Sequence, residues 1–461
     1  ALQISQGRVN ARRPTDEHRD VSVLSLRDSL VSDYRRRLLL LFAGVVLILL
    51  VACGNTANLL LANGLARGRE LGVRAALGAG RGRILRQLLT ESFVLTLAAS
   101  LLAILLAAPL IRLLVRSAPA SVPGLERAGL SPTVLAFAIG AALMTTVLAG
   151  LVPSLRATER ALGSLRSRAA SWPHERLRPL LVTVQVALAL VLLIASGLLV
   201  RSALREGATE LGFEPRGLLS AQLSLPRADY DERAEIARTY ELIVERVRAL
   251  PGVEAAGGAT RVAFSGPSLG LVYLRPDRVD DKLNAEFRIV SPGYFAVAGV
   301  PLLEGRELEA RDRSDSAPVA VVNRAFADRL WPEGGAVGRR LTTDNAAIVD
   351  SEGKTLTLEV VGVVENARDY GLRGEPRPAA FMSLDQAPAG PWNWVGSSLM
   401  LVARSEGDPL ALVEPLRAAI ADVDPSLPVF NIATMESRLA DTLATGRLNA
   451  LLFSALGAIA L

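Results

Sequence analysis

Residues 179–200 have the sequence PLLVTVQVALALVLLIASGLLV, and none of these side chains is charged. A helix needs roughly 20 apolar residues to cross the hydrocarbon core of a bilayer. Three more stretches have the same character, at residues 38–61, 93–115 and 132–152, and a fifth occupies residues 447–461. The pattern predicts an α-helical membrane protein with four complete transmembrane helices and the start of a fifth.

The composition favours the same class. Of 461 residues, 50% are hydrophobic and 5% are aromatic, which is too apolar for a soluble chain of this length. The 51 Lys and Arg residues exceed the 46 Asp and Glu residues, giving a net charge of +5. The excess is uneven, since residues 201–446 carry about nine more acidic than basic side chains. We attribute the positive surplus elsewhere to membrane orientation and expect no nucleic-acid partner.

The connecting loops predict which segments face the cytoplasm, because Arg and Lys accumulate on that side of a membrane. The loop between the first and second spans contains Arg67, Arg69, Arg74, Arg81, Arg83 and Arg86. The loop between the third and fourth contains Arg156, Arg160, Arg166, Arg168, Arg176 and Arg178. Residues 116–131 carry few charges and are predicted to lie outside, and alternation then places residues 201–446 outside too. Arg35, Arg36 and Arg37 oppose this orientation, but two basic loops outweigh one triplet.

The external segment, residues 201–446, is predicted to be a mixed α/β domain with one core or two subdomains. Apolar and polar residues alternate over residues 219–225, which is typical of a half-buried strand. Apolar residues then recur at four-three spacing over residues 236–250, which predicts a helix that ends at Pro251. Strands are predicted at 319–322 and 356–364, and a helix at 410–423.

The approach to the first span is repeated near the end of the chain. Residues 26–30 (LRDSL) precede Arg36, Arg37 and an apolar run, and residues 435–439 (MESRL) precede Arg447 and a second apolar run. The span at 447–461 is therefore predicted to repeat the first. Residues 1–37 would then be the tail of an earlier external domain.

Several kinds of site are disfavoured. His18 and His174 are the only histidines, and neither has metal-type or triad-type neighbours. Residues 353–355 (GKT) lack the glycine that a phosphate-binding loop needs five places earlier, so a polar turn is the better interpretation and no ATP site is expected. The complete spans contain Arg112, near an end, as their one charged residue, which disfavours a proton antiporter. Cys53 is the single cysteine, so no intrachain disulfide can form.

The first basic loop has helical periodicity. Arg67, Glu70 and Arg74 share one helix face, and Glu70 can pair with Arg74. After a glycine break, residues 83–91 predict an amphipathic helix that lies along the membrane surface and leads into the second span. A solvated loop that only sets orientation is the alternative.

Several motifs together carry a family resemblance. Residues 67–79 (RGRELGVRAALGA) with 83–91 (RILRQLLTE) resemble the coupling-helix region of the FtsX-like permease domain, and residues 52–62 (ACGNTANLLLA) resemble the same family's large duplicated permeases. The external segment is similar to the MacB-type periplasmic core domain. Its shared motifs are LPGV (250–253), VSPGYF (290–295), PLLEGR (301–306), VVN (321–323), GRR (338–340) and VVGVV (360–364). The resemblance is to the MacB/FtsX-like ABC transporter permeases of the duplicated type.

The resemblance implies a domain order. The expected segments are the tail of a periplasmic domain (1–37), an FtsX-like permease domain (38–152) with a cytoplasmic coupling loop (62–92), a cytoplasmic basic linker (153–178), a transmembrane helix (179–200), a MacB-like periplasmic core domain (201–446) and the start of the next span (447–461).

The resemblance also implies a role. The chain would be a non-catalytic multi-pass subunit of the bacterial inner membrane that works with a cytoplasmic ABC ATPase, itself a dimer that binds ATP and Mg. A periplasmic adaptor and an outer-membrane channel are further expected partners, besides membrane lipid. The ATPase contact would comprise Arg67, Arg69, Glu70, Leu71, Arg74, Leu77, Gly78 and Ala79. A signalling scaffold that regulates a cell-wall enzyme and an independent secondary transporter remain as alternatives.

Overall fold

The structure is a computed structural model that describes residues 35, 39–56, 73, 81–117, 129–144, 174–226, 230, 233–266, 269–344, 348, 355–387 and 399–460. The chain divides into two compact units. The helical unit comprises Ala1–Ala118, Val122–Arg201 and Arg447–Leu461, and the α/β unit comprises Pro119–Ser121 and Ser202–Gly446.

The α-helices of the described residues are numbered along the chain. They are α1 Leu39–Thr56, α2 Arg81–Ser117, α3 Pro132–Met144, α4 His174–Gly207, α5 Arg233–Arg248, α6 Tyr294–Ala298, α7 Arg324–Leu330, α8 Val413–Ala421 and α9 Met435–Ala460.

Among the described residues, four helices are long and apolar enough to cross a membrane, through Leu39–Thr56, Thr96–Leu113, Val182–Gly207 and Met435–Ile459. Helix α3 begins where the third span was predicted and is described as far as Met144; residues 145–152 lie outside the described residues. The prediction of an α-helical membrane protein with an α/β domain agrees with this architecture. The number of spans stays a prediction.

Helix α9 starts earlier than the predicted fifth span at Arg447. Its first residue is Met435, and the Oγ1 atom of Thr434 accepts a hydrogen bond from the backbone N–H of Ser437 at 3.1 Å. This is an N-terminal helix cap, which satisfies a donor that has no partner within the helix. Residues 435–446 are too polar to be recognised by hydropathy, so the helix begins before the predicted span; the bounds of that span stay a prediction.

Close approaches at small residues pack α1, α4 and α9 together inside the helical unit. A Cβ atom on Gly44 of α1 would lie 3.3 Å from Phe453 and from Leu456, both on α9. The hydroxyl of Ser196 on α4 donates to that of Ser454 on α9 at 3.2 Å. Small and hydroxyl side chains let helices approach closely where lipid provides no hydrophobic driving force.

The strands of the α/β unit form one sheet. They are β1 Leu218–Leu223, β2 Val253–Ala259, β3 Leu269–Arg275, β4 Arg278–Val290, β5 Leu302–Gly305, β6 Val319–Asn323, β7 Arg340–Thr343, β8 Thr357–Val364, β9 Ala379–Ser383, β10 Leu399–Ser405 and β11 Val429–Thr434. Their order is β11-β1-β10-β2-β4-β3-β7-β8-β6-β9, and β5 pairs with β8.

Strand β4 joins two parts of this sheet. It pairs with β2 through Ala259 and Val290, which connects it to β1, β10 and β11. On its other side, β9 returns to pair with β4 in parallel, so β4, β3, β7, β8, β6 and β9 close into a ring. Because one hydrogen-bonded sheet contains all these strands, the predicted division into two subdomains stays a prediction.

Both faces of β1 are covered, although its alternating sequence predicted one solvated face. Leu219 packs in a core with α5 and α8, and Leu218 packs in a second core with α6. Ser220 on that second face is also buried, and its hydroxyl donates to the carbonyl oxygen of Ala433 at 2.9 Å. Helix α5 overlaps the predicted 236–250 segment but begins three residues before it and ends two residues earlier, at Arg248.

Candidate functional site

The predicted ATPase contact lies outside the described residues, so it stays a prediction; its members are Arg67, Arg69, Glu70, Leu71, Arg74, Leu77, Gly78 and Ala79. Just beyond it, the predicted amphipathic segment at 83–91 and the second span form one helix, α2. Arg83 and Arg86 are exposed on its first turns.

A second candidate site lies in the α/β unit, where residues 202–207 form the last turns of α4. Glu206 on these turns accepts a hydrogen bond from the hydroxyl of Ser202 at 3.3 Å and forms an ion pair with Arg373. The side chain of Glu206 is 13% exposed, whereas that of Arg373 is 69% exposed. Arg373 belongs to residues 365–374, the first part of the connection from β8 to β9, which are named the 365–374 loop.

The backbone of the 365–374 loop is held against the segment that follows α4. The N–H of Arg368 donates to the carbonyl oxygen of Leu211 at 2.8 Å. At Gly212 the φ angle is +70°, and a Cβ atom there would overlap the carbonyl of Asn366. Glycine is therefore required at this position both for its conformation and for the close approach of two backbones.

Side chains at the start of the loop also bind α7. The Oδ1 atom of Asn366 accepts a hydrogen bond from the N–H of Ala325 at 2.8 Å. Glu365 forms an ion pair with Arg324 at 2.8 Å. Acceptors and negative charge at a helix N-terminus satisfy unpaired N–H groups and complement the helix dipole.

The middle of the loop reaches a buried charge cluster, defined here as Glu286, Arg288 and Asp369. Arg288 on β4 forms ion pairs with both carboxylates and is only 4% exposed. The carbonyl oxygen of Asp369 also accepts a hydrogen bond from the N–H of Phe264 at 2.8 Å. Burial alone would lower the pKa of Arg288, but the two carboxylates outweigh it and raise that pKa above its ordinary value.

Two aromatic or basic side chains respond to the same cluster. Burial, opposed by Arg288 and reinforced by Asp369, raises the pKa of Tyr294 to about 12. Burial and the neighbouring charge of Arg288 lower the pKa of Arg261. The cluster is therefore a set of buried charges in which Arg288 and the two carboxylates stabilise one another's charged forms.

A cavity of about 20 Å³ opens beside Asp369, and Phe213, Tyr294 and Met435 also line it. This volume holds about one water molecule. Phe213 lies in the segment that follows α4, and Met435 is the first residue of α9, so the cavity brings that segment and the start of α9 to the 365–374 loop.

The start of α9 is anchored to the sheet. Arg438 donates from Nε to the hydroxyl of Ser220 at 2.9 Å and from Nη2 to the carbonyl oxygen of Asn431 at 2.7 Å. Met435 packs in the core that contains α6.

Two family models match the chain. The model of the MacB-like periplasmic core domain matches residues 180–419, and that of the FtsX-like permease C-terminal domain matches residues 42–162. The chain belongs to the MacB/FtsX-like permease family. Members of this family are permease components of ABC transporters, are embedded in membranes with a periplasmic domain, generally work with a cytoplasmic ATPase and are generally non-catalytic.

Three solved structures are similar to part of this MacB/FtsX-like permease. The periplasmic region of MacB from Actinobacillus actinomycetemcomitans is 13% identical with a TM-score of 0.30, over 48% of this chain and 90% of that one. The extracellular domain of the noncanonic ABC-type transporter YknZ from Gram-positive bacteria is 13% identical with a TM-score of 0.29, over 46% and 100%. A domain of a putative permease protein from Porphyromonas gingivalis is 14% identical with a TM-score of 0.31, over 49% and 92%.

The 365–374 loop of this permease was missed by sequence reasoning. Its sequence, ENARDYGLRG, combines charged residues with two glycines and is typical of a surface turn. The available signal was its position directly after the VVGVV motif.

No group of three or more His, Cys, Asp or Glu side chains within the described part of the chain could hold a metal ion.

Proposed function

We propose that this chain is the permease subunit of an inner-membrane ABC transporter, and that it couples ATP hydrolysis in a separate cytoplasmic ATPase to a conformational change of the α/β unit in the periplasm. ATP and Mg bind to the ATPase, and the permease contributes no catalytic group. The movement drives efflux or export of cargo, with a periplasmic adaptor and an outer-membrane channel as further partners.

One observation carries this proposal. Helices α4 and α9 are apolar enough to cross a membrane, and both contain residues of the α/β unit as well as of the helical unit. Their ends inside the α/β unit are held by Glu206 with Arg373 and by Arg438 with Ser220. A helix is a stiff rod with a rise of about 1.5 Å per residue, so displacement at one end reaches the other.

The input of this movement is the coupling loop, residues 62–92. Arg67, Glu70 and Arg74 share one helix face by their spacing, which suits a charged contact with a protein surface. The lack of Asp, Glu and Lys in the predicted spans agrees with a mechanical rather than an ion-coupled mechanism.

Co-purification with the proposed ABC ATPase tests the contact. We expect Glu70→Arg to abolish recovery of the ATPase, because the reversal places a third like charge on the contacting face. Glu159→Arg, the same reversal in the basic linker, is the matched control and should leave recovery unchanged. Equal ATPase recovery with wild type and Glu70→Arg would contradict the proposed contact.

Labelling tests the topology. In a Cys53→Ala background, Arg69→Cys and Asp408→Cys place single thiols in the coupling loop and on the exposed surface of the α/β unit. A membrane-impermeant maleimide added to intact spheroplasts should label only the second. Labelling of both from the same side would refute coupling across the membrane. Binding of a cell-wall hydrolase in place of an adaptor would identify the chain as a signalling scaffold.

A further inference from the structure

We infer that the 365–374 loop is the mechanical relay of the α/β unit: it carries displacement of the last turns of α4 to the buried charge cluster on β4, and so to the junction between β2 and the closed ring of strands. This inference rests on the proposed function, because it assigns residues to the output of the same movement. Arg373 and Asp369 are its positioning residues, one at each end.

The outer end of the relay is a directed contact. Glu206 is held on its own helix by Ser202, and its carboxylate is largely buried, so it presents a single orientation to Arg373. An ion pair at such a site is stronger than one between fully exposed side chains, because water screens it less. Movement of α4 along its axis or about it therefore pulls or pushes Arg373.

The middle of the relay consists of direct contacts between backbone atoms. The Arg368 N–H is hydrogen-bonded to Leu211, and the backbone at Gly212 lies directly against Asn366. Neither contact depends on a long side chain that could absorb displacement by changing its rotamer. The segment after α4 and the loop must therefore shift together.

The inner end of the relay delivers this shift to a buried charge. Asp369 is bonded to β4 through Arg288 and to the segment that follows β2 through the amide of Phe264. If the loop moves, Arg288 must follow or lose one of its two carboxylates. A buried charge that loses a partner is strongly unfavourable, so Arg288 follows.

Arg288 lies next to the point where β4 meets β2. The amide of Ile289 donates to Thr260 at 3.2 Å, and the amide of Ser291 donates to the carbonyl oxygen of Gly258 at 2.8 Å. These contacts surround the pairing of Ala259 with Val290, the connection between β2 and the ring. Displacement of Arg288 therefore acts on this junction.

The cavity beside Asp369 leaves room for the movement. Interiors are close-packed, and a side chain can shift only where its neighbours leave space. Here space for about one water molecule lies between Asp369, Phe213 and Met435. The segment that follows α4 and the first residue of α9 therefore meet Asp369 at a site where packing permits a shift.

Hydrogen exchange on the full chain in lipid nanodiscs tests the relay without nucleotide. The reporter is the Phe264 amide, which donates to Asp369 but contacts neither residue of the outer pair. In Arg373→Glu we expect its exchange to be roughly three- to tenfold faster. Glu206 repels the new carboxylate, the loop shifts, and the hydrogen bond from the Phe264 amide to Asp369 opens more often. Glu206→Arg should do the same, and the double reversal Glu206→Arg/Arg373→Glu should restore the wild-type rate.

Controls separate the relay from general destabilisation. Lys282→Asp removes the exposed pair of Lys282 with Asp344 at 2.7 Å and should leave the Phe264 amide unchanged. Arg373→Gln is the milder variant, at an exposed side chain, if the reversal does not fold. An unchanged Phe264 rate in both Arg373 variants, or a double reversal that exchanges as fast as the single variants, would overturn the relay.

A second arm adds the ATPase and compares a non-hydrolysable ATP analogue with ADP. In wild type we expect a nucleotide-dependent change at the Phe264 amide, lost in Arg373→Glu and recovered in the double reversal. No nucleotide-dependent change anywhere in residues 202–446 of wild type would refute the proposed function, while the nucleotide-free arm still decides the relay. A change elsewhere in that range that survives Arg373→Glu would refute the relay and leave the proposed function standing.

Discussion

Arg288 and Asp369 form an ion pair across 81 residues of sequence, with side chains that are 4% and 13% exposed. We predict that Arg288→Met destabilises the folded α/β unit by about 3–5 kcal/mol, because two largely buried carboxylates lose their shared cation. Thermal unfolding of the full chain in detergent, followed by tryptophan fluorescence, measures the loss.

Arg278 is the matched control for this prediction, because it lies on the same strand and is 65% exposed. Its pair with Asp281 is long, at 3.8 Å. Arg278→Met should therefore change stability by no more than about 0.5 kcal/mol. Similar losses from the two variants would mean that the buried cluster contributes nothing of its own.

The ion pair of Asp312 with Arg306 predicts that the folded α/β unit loses stability in acid. Burial tends to raise its pKa, but Arg306, which donates to both carboxylate oxygens at 2.8 Å, and the Glu309 amide lower it, and the net pKa lies below the ordinary value. The unfolded chain then binds the proton more readily, so this stabilisation is complete above about pH 4 and is lost as pH falls through the folded pKa.

Asp312→Asn should remove the part of the acid-induced loss of stability that comes from this carboxylate. At neutral pH we expect the variant to be less stable by roughly 1.5–3 kcal/mol, the range for hydrogen bonds to charged groups. As pH falls below about 4 toward the folded pKa of Asp312, the difference from wild type should shrink. Unfolding curves recorded from pH 7 to pH 3 check this, and a difference that grows toward acid would show that the sign is wrong.

The membrane helices could be predicted from sequence because crossing a bilayer depends on length and hydropathy, which are properties of a single segment. The start of α9 could not be predicted in this way. Residues 435–446 are helical because Thr434 caps them and Arg438 binds Ser220 of β1. That contact spans 218 residues, and no local pattern contains it.

The relay was beyond sequence reasoning for the same reason. Glu286 and Arg288 alternate with apolar residues on β4, and such alternation is typical of a strand with one solvated face. Both side chains are nevertheless buried, and Arg288 takes a second carboxylate partner, Asp369, from a distant loop. The coupling loop differs from the relay in this respect. The order of its sequence motifs and their family resemblance predict it, but the residues of the predicted ATPase contact lie outside the described structure.

Gly258 on β2 lies so close to Tyr240 that a larger side chain at this position is predicted to destabilise the core. A Cβ atom there would overlap the ring and hydroxyl of Tyr240, and that hydroxyl donates to the carbonyl oxygen of Met400. We expect Gly258→Ala to cost about 1–3 kcal/mol, because the buried ring cannot move without breaking this hydrogen bond. Gly407→Ala is the control, since no described atom lies within 4 Å of its Cβ position. Equal unfolding temperatures for the two variants would show that Tyr240 relaxes freely.

The contact of Gly44 with Phe453 predicts how α1 and α9 are held together. A Cβ atom at Gly44 would already lie 3.3 Å from the phenyl ring, so Gly44→Leu must separate the helices or displace the ring. We expect a loss of about 1–3 kcal/mol in detergent, measured by thermal unfolding.

Cross-linking reports the separation of α1 and α9 directly. In the Cys53→Ala background, thiols introduced by Leu41→Cys on α1 and Leu452→Cys on α9 should be joined by a short bifunctional maleimide, because both positions are half-buried and lie within one turn of Gly44 or its contact. Adding Gly44→Leu should abolish this cross-link. Gly140→Leu on α3 is the matched control, because its Cβ position has open space among the described residues. If both leucine variants retain the cross-link and the unfolding temperature of the parent, close packing at Gly44 does not join these two helices.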